Sequence, residues 1–358
     1  MGLLRVGIAF HEKYSQYDFG PGHPFRGNRF SNAMNFFEQQ GLLRQPQVVI
    51  VKPEIAKLKD LLRAHDKSYI DLIFDFAEKG RPYDFDTPLS AGILEGALYI
   101  MGGALKIGQT LSSGEIDRGV SLGGGLHHAG ENFGGGFCIF NDVAILTRYL
   151  QQERGVKRVL ILDYDVHAGN GTSDIFYSDP SVLFISVHQD PKTLFPGTGF
   201  VGQIGRDEGE GFNVNVPLPP GTGNATYFFA LREIFVPLAR EFKPSIILAN
   251  GGSDPHFADI LGSLALTVNG FFDLSRLVAS MADEVCEGRL ALLVGSGYNP
   301  AVLPACWYAL AAGAAGVEKI EVPDPSTPPA EPPWCRERVE TTVKEVRRIL
   351  AKYWKCFR

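Results

Sequence analysis

The sequence predicts an α/β protein built on an open, mainly parallel sheet with helices on both faces. Three observations carry that prediction. Short apolar runs with a branched bias recur along the chain, long enough for buried strands and too short for helices. They alternate with helical segments, the pattern of a parallel sheet. Five of them end in a Gly-rich or polar cluster, and open α/β sheets bind ligands beyond the carboxyl ends of their strands.

The elements follow in chain order. The N-terminal ten residues are apolar but short and lack a basic start, so they read as a first strand rather than a leader. Residues 14–29, rich in Gly, Pro and aromatics, read as an ordered loop, with a helix from about Ser31. Val48–Val51 is a second strand and 53–62 a helix. Over 91–111 a helix of small residues, including Gly92, Gly96, Ala97, Gly102, Gly103 and Ala104, can lie close against a sheet. A strand at 119–122 leads into Gly123-Gly124-Gly125-Leu126-His127-His128, and Asn141-Asp142 can cap a helix running to Gln152. The apolar run from Arg158 turns polar at Asp163-Tyr164-Asp165-Val166-His167. Strands at 182–187, 246–250 and 290–294 end at His188, at Gly251-Gly252-Ser253-Asp254-Pro255-His256 and at Gly295-Ser296-Gly297-Tyr298. Residues 301–317, interrupted by Pro304 and Gly313, fall short of a membrane span and read as a buried helix. Residues 1–320 are thus expected to form one domain and 321–335 a proline-rich connector. In the final segment, 336–358, Val339, Val343, Val346, Ile349, Leu350 and Tyr353 recur at helical spacing and are expected to pack back onto the domain.

Composition narrows the function. A net charge of −6 with no basic stretch gives no reason to expect nucleic-acid or anionic-membrane binding. Five cysteines, widely spaced and without Cys-x-x-Cys, argue against a disulfide framework and against a structural zinc knuckle, and a reducing cytoplasm is the expected compartment.

The chemistry gathers at the strand ends. Along an extended strand Asp163, Asp165 and His167 would share one face. Carboxylate oxygen and imidazole nitrogen suit zinc, manganese or iron, and a catalytic site commonly takes three protein ligands and keeps a position open. An isolated Asp-x-His more often caps a helix; the repetition of polar clusters at other strand ends favours a metal here. Asp254 is the candidate third ligand because it directly follows a strand end, with Asp259 and His256 as nearby competitors. In the pair His127-His128 one imidazole can accept a proton while the other acts as acid or electrostatic partner. A lone Tyr298 is usually packing, yet beside a metal its hydroxyl can donate to a developing oxyanion. Phe137 and Phe195 fit a core or the wall of a channel equally well. The triple glycine is followed by neither Gly-x-Gly-x-x-Gly nor Lys-Ser/Thr, so nucleotide binding is rejected.

The motifs Gly125-Leu126-His127-His128-Ala129, Gly136-Phe137-Cys138-Ile139-Phe140-Asn141-Asp142, Asp163-Tyr164-Asp165-Val166-His167, Ser186-Val187-His188, Phe195-Pro196-Gly197-Thr198-Gly199, Asp254-Pro255-His256-Phe257-Ala258-Asp259 and Gly297-Tyr298 resemble the histone deacetylase superfamily. Their wording is most similar to its acetoin-utilisation branch. The resemblance implies an arginase/deacetylase-like fold with zinc held by Asp165, His167 and Asp254. It implies His127 and His128 as the catalytic pair, backed by Asp163 and Asn170, and Tyr298 as the group that stabilises the substrate carbonyl. It further implies Phe137 and Phe195 as walls of an acyl-lysine tunnel, Gly136 and Leu261 as further substrate contacts, and Asp86 as a rim carboxylate. A structural monovalent cation, such as potassium, is implied near Asp163, Asp165, His167 and Ser186. The expected reaction is hydrolysis of an acetyl amide on a lysine side chain of a protein or peptide, or on a small amine such as a polyamine. Ala168, Asn170 and Ser296 depart from the family pattern without removing a ligand. An arginase-type two-manganese centre would need an acidic residue at position 169, where Gly169 stands, and a silent acetyl-lysine binder would not need Tyr298 with both histidines.

Overall fold

The computed structural model describes residues 4–358; the first three residues of the expected N-terminal strand lie outside the described part. Eight strands, β1 (Val6–Ala9), β2 (Val48–Val51), β3 (Arg118–Leu122), β4 (Val159–Asp163), β5 (Val182–Gln189), β6 (Asn213–Leu218), β7 (Ile246–Gly252) and β8 (Leu290–Ser296), form a parallel sheet in the order β2-β1-β3-β8-β7-β4-β5-β6. Ten α-helices accompany them among the described residues: α1 (Asn28–Gln39), α2 (Leu58–Leu61), α3 (Lys67–Lys79), α4 (Ala91–Ser113), α5 (Asp142–Arg154), α6 (Asn170–Phe176), α7 (Asn224–Phe242), α8 (Val268–Cys286), α9 (Leu303–Ala314) and α10 (Pro333–Leu350). None is long and apolar enough to cross a membrane. The chain folds as two compact units, one of residues up to Val156 with Asn170–Ile175 and Ala291–Gly295, the other of Lys157–Gly169, Phe176–Leu290 and Ser296–Arg358.

In the first unit β1 pairs in parallel with β2 and β3, in a register that sets Ile8 opposite Ile50 and Val120. The small-residue helix α4 explains its own composition. A Cβ on Gly102 would overlap the Glu54 carbonyl, and one on Gly103 would overlap the Tyr14 hydroxyl, so only glycine permits this approach. Helix α5 starts where the sequence places it: the Asn141 side chain accepts from Ala144 N at 2.9 Å, a cap typically worth about 1 kcal/mol.

In the second unit β4 pairs in parallel with β5 and β7, setting Asp163 opposite Ser186 and Asn250 at the carboxyl end. Helix α10 buries Val339, Val343, Val346 and Leu350. It begins with prolines at its first turn, where a missing N–H leaves no bond unmade.

Several elements differ from the sequence reading. Residues 53–57 are not helical; α2 starts only after Lys57, whose N–H donates to Asp60 Oδ2 at 2.9 Å. Helix α1 begins three residues before Ser31. Strand β6 was not anticipated because Asn213, Asn215 and Pro217 break the apolar run, and proline is tolerated there because β6 ends the strand order. Helix α7 carries Pro237 in its interior and so reads as interrupted. Helix α8 was also unanticipated, although its Thr267 cap and apolar face are ordinary signals.

Candidate functional site

In the second unit the metal-type residues converge, though not by strand alternation. Strand β4 ends at Asp163, and residues 165–167 form a bend. Carboxylates hold that bend: Asp165 N donates to Asp163 Oδ1 at 3.2 Å and His167 N to Asp165 Oδ1 at 2.8 Å. The neighbouring strands fix it from both sides, through Tyr164 N to Asn250 O at 2.8 Å and Gln189 N to Val166 O at 2.9 Å. Asp254 follows the end of β7 and is wholly buried, 0% exposed, while Asp165 and His167 are 2% and 7% exposed. One ligand atom from each of Asp165, His167 and Asp254 lies within 4.8 Å of the others. His167 Nδ1 is 3.0 Å from Asp165 Oδ1 and 3.4 Å from Asp254 Oδ2.

The electrostatics of this group ask for a cation. Burial raises Asp254, the charge of Asp165 raises it further, and together they push it up to about 8. Burial disfavours charge on His167, but the bond to Asp165 and the nearby carboxylate of Asp254 overcome it and push the imidazole up to about 10. Asp254 Oδ1 accepts from Ser296 Oγ at 2.7 Å, whereas buried Oδ2 has no hydrogen-bond partner. An orphaned carboxylate oxygen beside a second carboxylate and an imidazole is the donor set that a divalent metal completes. The competitors are occupied elsewhere. Asp259 takes Leu261 N at 2.9 Å and Tyr298 N at 2.7 Å, and His256 is bound to Asp324 at 2.9 Å.

Of the remaining second-unit candidates, Phe195 and Tyr298 flank His167. The rings of Phe195 and Tyr298 each lie 6.4 Å from its imidazole, edge to face. Phe195 is 53% exposed, so it is not core. Leu261 is half-buried, its N–H held by Asp259 at 2.9 Å. Ser186 pairs with Asp163 across the strands. Because His188 Nε2 contacts the Gly199 carbonyl at 2.9 Å, it carries the proton, so the Ser186 hydroxyl donates to His188 Nδ1 at 2.8 Å.

In the first unit His127 and His128 are buried with their Nε2 atoms 3.2 Å apart. His128 Nδ1 is 2.7 Å from Asn170 Oδ1, an oxygen that only accepts, so Nδ1 holds a proton and Nε2 is left for exchange. The loop that presents the pair hangs on Asp142, whose carboxylate accepts from Gly125 N at 2.9 Å and Leu126 N at 2.8 Å. Burial raises Asp142 to about 6 against those bonds. Asn141 donates to Ala129 O and Thr172 Oγ1, both at 2.9 Å, and its own N–H donates to His65 Nε2 at 2.9 Å. Burial keeps His65 neutral, down to about 4, with Nδ1 donating to Gly130 O at 2.8 Å.

Phe137 sits at φ 68°, after Gly135 and Gly136 at φ 135° and 54°. Its carbonyl accepts from the Tyr17 hydroxyl at 2.5 Å and its ring meets His23 at 4.7 Å. His23 in turn holds the Asp86 carbonyl at 3.0 Å. Burial first, then the neighbouring Asp84, raises Asp86 above the usual carboxylate range.

The supporting residues Asp142, His65, Thr172, Ser296 and Asp259 were not singled out as site residues from sequence beyond Asp142 as a cap and Asp259 as a competitor. Only their positions beside the motifs could have pointed to them. Fold and residues together mark an α/β enzyme whose polar groups follow the carboxyl ends of β3, β4, β7 and β8. A model of the histone deacetylase domain matches residues 23–314, and the chain belongs to that deacetylase family. It is 36% identical over 363 residues to a probable deacetylase of Archaeoglobus fulgidus, covering 99% of each chain. It is 35% identical over 313 residues to the acetoin utilization protein AcuC of Staphylococcus aureus (strain MSSA476), covering 85% of this chain and 80% of that one. The crystal structure of the HDA15 HD domain matches with a TM-score of 0.86 at 25% identity, over 99% of this chain and 97% of that one.

Proposed function

We propose that this deacetylase is zinc-dependent and removes acetyl groups from lysine side chains of proteins or peptides. The observation that carries the reading is the buried Asp165–His167–Asp254 group, with its orphaned Asp254 Oδ2 and its raised proton affinities. Zinc bound there would supply Lewis acidity to the acyl carbonyl and to the attacking water. His127 and His128 manage the protons: the Nε2 lone pair of one takes a proton from water, and the pair returns it to the departing amine. Asp163 and Asn170 orient them. Tyr298 donates to the oxyanion as it forms, and Phe137, Phe195, Gly136 and Leu261 line the path of the acyl-lysine stem. Asp163 and Ser186, adjacent in register, are proposed to hold a structural monovalent cation.

Acetylpolyamines are the second reading, and one observation favours them. Asp86 does not stand alone at its loop, because Asp84 lies beside it and raises the cost of ionising Asp86. A multiply charged amine would relieve that cost. The expected result is a higher kcat/KM for acetyl-lysine peptides than for acetylspermidine or acetylputrescine, measured on zinc-loaded protein. A preference for the polyamines that is lost in Asp84→Asn would transfer the assignment to the second reading.

A further inference from the structure

Building on the assignment of Asp254 as metal ligand and Tyr298 as oxyanion donor, we propose that Asp324, in the proline-rich segment, is a positioning residue for both. Asp324 Oδ1 accepts from His256 Nε2 and from Val268 N, both at 2.9 Å. The tautomer of His256 is set by a third bond: Ala258 N donates to Nδ1 at 3.0 Å, so the proton is on Nε2 and Asp324 is its acceptor. The imidazole is wholly buried, stacked 4.4 Å from the Phe257 ring and 6.3 Å from the Phe271 ring. Without Asp324 this N–H would be buried and unmatched.

The turn that carries His256 leads to the site in both directions. On one side His256 N donates to Ser253 O at 3.1 Å, closing the turn over Asp254. On the other Asp259 N donates to His256 O at 2.9 Å, and Asp259 Oδ2 receives Tyr298 N at 2.7 Å. Asn299 adds a bond to Ala258 O at 2.6 Å. Asp324 therefore fixes the ring, the ring fixes the turn, and the turn sets the metal ligand and the Tyr298 backbone. Outer partners of this kind tune metal affinity without touching the metal.

The other end of the same segment supplies a control. Glu331 accepts from Gly223 N at 2.8 Å and from the Thr226 hydroxyl, at the start of α7 and away from the turn. Asp324→Ala, Asp324→Asn and Glu331→Ala are made in the full chain, loaded with zinc, and compared in zinc loss to a chelator, in kcat and KM, and in Tm. In Asp324→Ala zinc loss is expected to accelerate about tenfold to a hundredfold, with kcat about tenfold lower and KM within about twofold. Asp324→Asn keeps an acceptor oxygen and is expected to retain wild-type behaviour within about threefold. Glu331→Ala is expected to lower Tm without accelerating zinc loss. Wild-type zinc retention in Asp324→Ala, or equal acceleration in Glu331→Ala, overturns the proposal. Should Asp324→Ala not fold, Asp324→Glu displaces the acceptor while keeping the charge, and wild-type zinc retention there overturns it equally. If the wild type turns over no acylated amine while zinc retention still separates the variants, the positioning role stands and the deacetylase assignment of substrate fails.

Discussion

Around His128 in the first unit, Asn170 offers an oxygen where the ring carries hydrogen, His127 lies at hydrogen-bond distance from Nε2, and Asp142 spends its carboxylate on the backbone of the loop. Around His167 in the second unit, two buried carboxylates face one imidazole, and an Asp254 oxygen has no hydrogen-bond partner. In the first region each of these polar groups faces a hydrogen-bond partner, the arrangement on which the proposed proton transfer rests. The second crowds its anions and raises their proton affinity, the setting in which a metal ion is proposed to bind. Histidines of the same chemistry thus stand in different surroundings, one beside matched acceptors and one beside surplus anions, and the different roles proposed for them follow from that.

The largest effects should come from breaking the surplus-anion region. Asp165→Ala, His167→Ala and Asp254→Ala are each expected to abolish stoichiometric zinc binding and turnover, while Asp259→Ala retains zinc because its carboxylate serves the backbone. Metal analysis after gel filtration decides this, and full zinc occupancy in Asp254→Ala would assign the third ligand elsewhere. Next comes Tyr298→Phe, which keeps the ring beside His167 and removes only the hydroxyl. Loss of one oxyanion donor typically costs about a hundredfold to a thousandfold in kcat, and KM should shift much less. Unchanged kcat with zinc verified would reduce Tyr298 to packing.

A smaller effect tests the matched region. Asn170→Leu leaves His128 Nδ1–H without its acceptor and is expected to lower kcat about tenfold. Asn170→Asp places a carboxylate against that N–H, favours the imidazolium, and should move the acidic limb of kcat/KM to higher pH. A profile that stays in place would show that Asn170 does not tune the pair.

A further effect is on stability, and its sign separates the two regions. In metal-stripped protein, Asp254 and His167 hold protons more tightly folded than unfolded, at about 8 against 3.8 and about 10 against 6.5. Stability is then present at low pH and lost as pH rises, most steeply between 6.5 and 8 where both windows overlap. In the first unit Asp142, raised from 3.8 to about 6, loses stability as pH rises, while His65, lowered from 6.5 to about 4, gains it over nearly the same range. These two contributions oppose each other. Melting curves of stripped protein should therefore fall from pH 6.5 to 8, and those of zinc-loaded protein should not.

The sequence made the strand ends legible because apolar runs and polar terminators are local signals. It also singled out Asp165, His167, Asp254 and the histidine pair before any geometry was known. The route by which Asp165, His167 and Asp254 meet was not legible. Alternation along a strand was expected, but the carboxylates of Asp163 and Asp165 bend the chain by capturing amides two residues on, a choice made by side-chain hydrogen bonds rather than by periodicity. The supports of the site were hidden for a related reason. Ser296 meets Asp254 across 42 residues and His65 meets Asn141 across 76, and no local pattern encodes such partners. Strand β6 was lost to its asparagines and proline, and α7 to Pro237.

The two terminal strands of the sheet have unequal consequences for self-association in concentrated solution. At β6, Pro217 withholds one amide from any incoming chain. At β2 no proline intervenes, and Val49 and Ile50 are 46% and 49% exposed. Its length of four residues limits the template it offers. Polymerisation through added strands, when the protein is crowded, would therefore start at β2, and a lysine in place of Ile50 is the change that would keep such solutions clear.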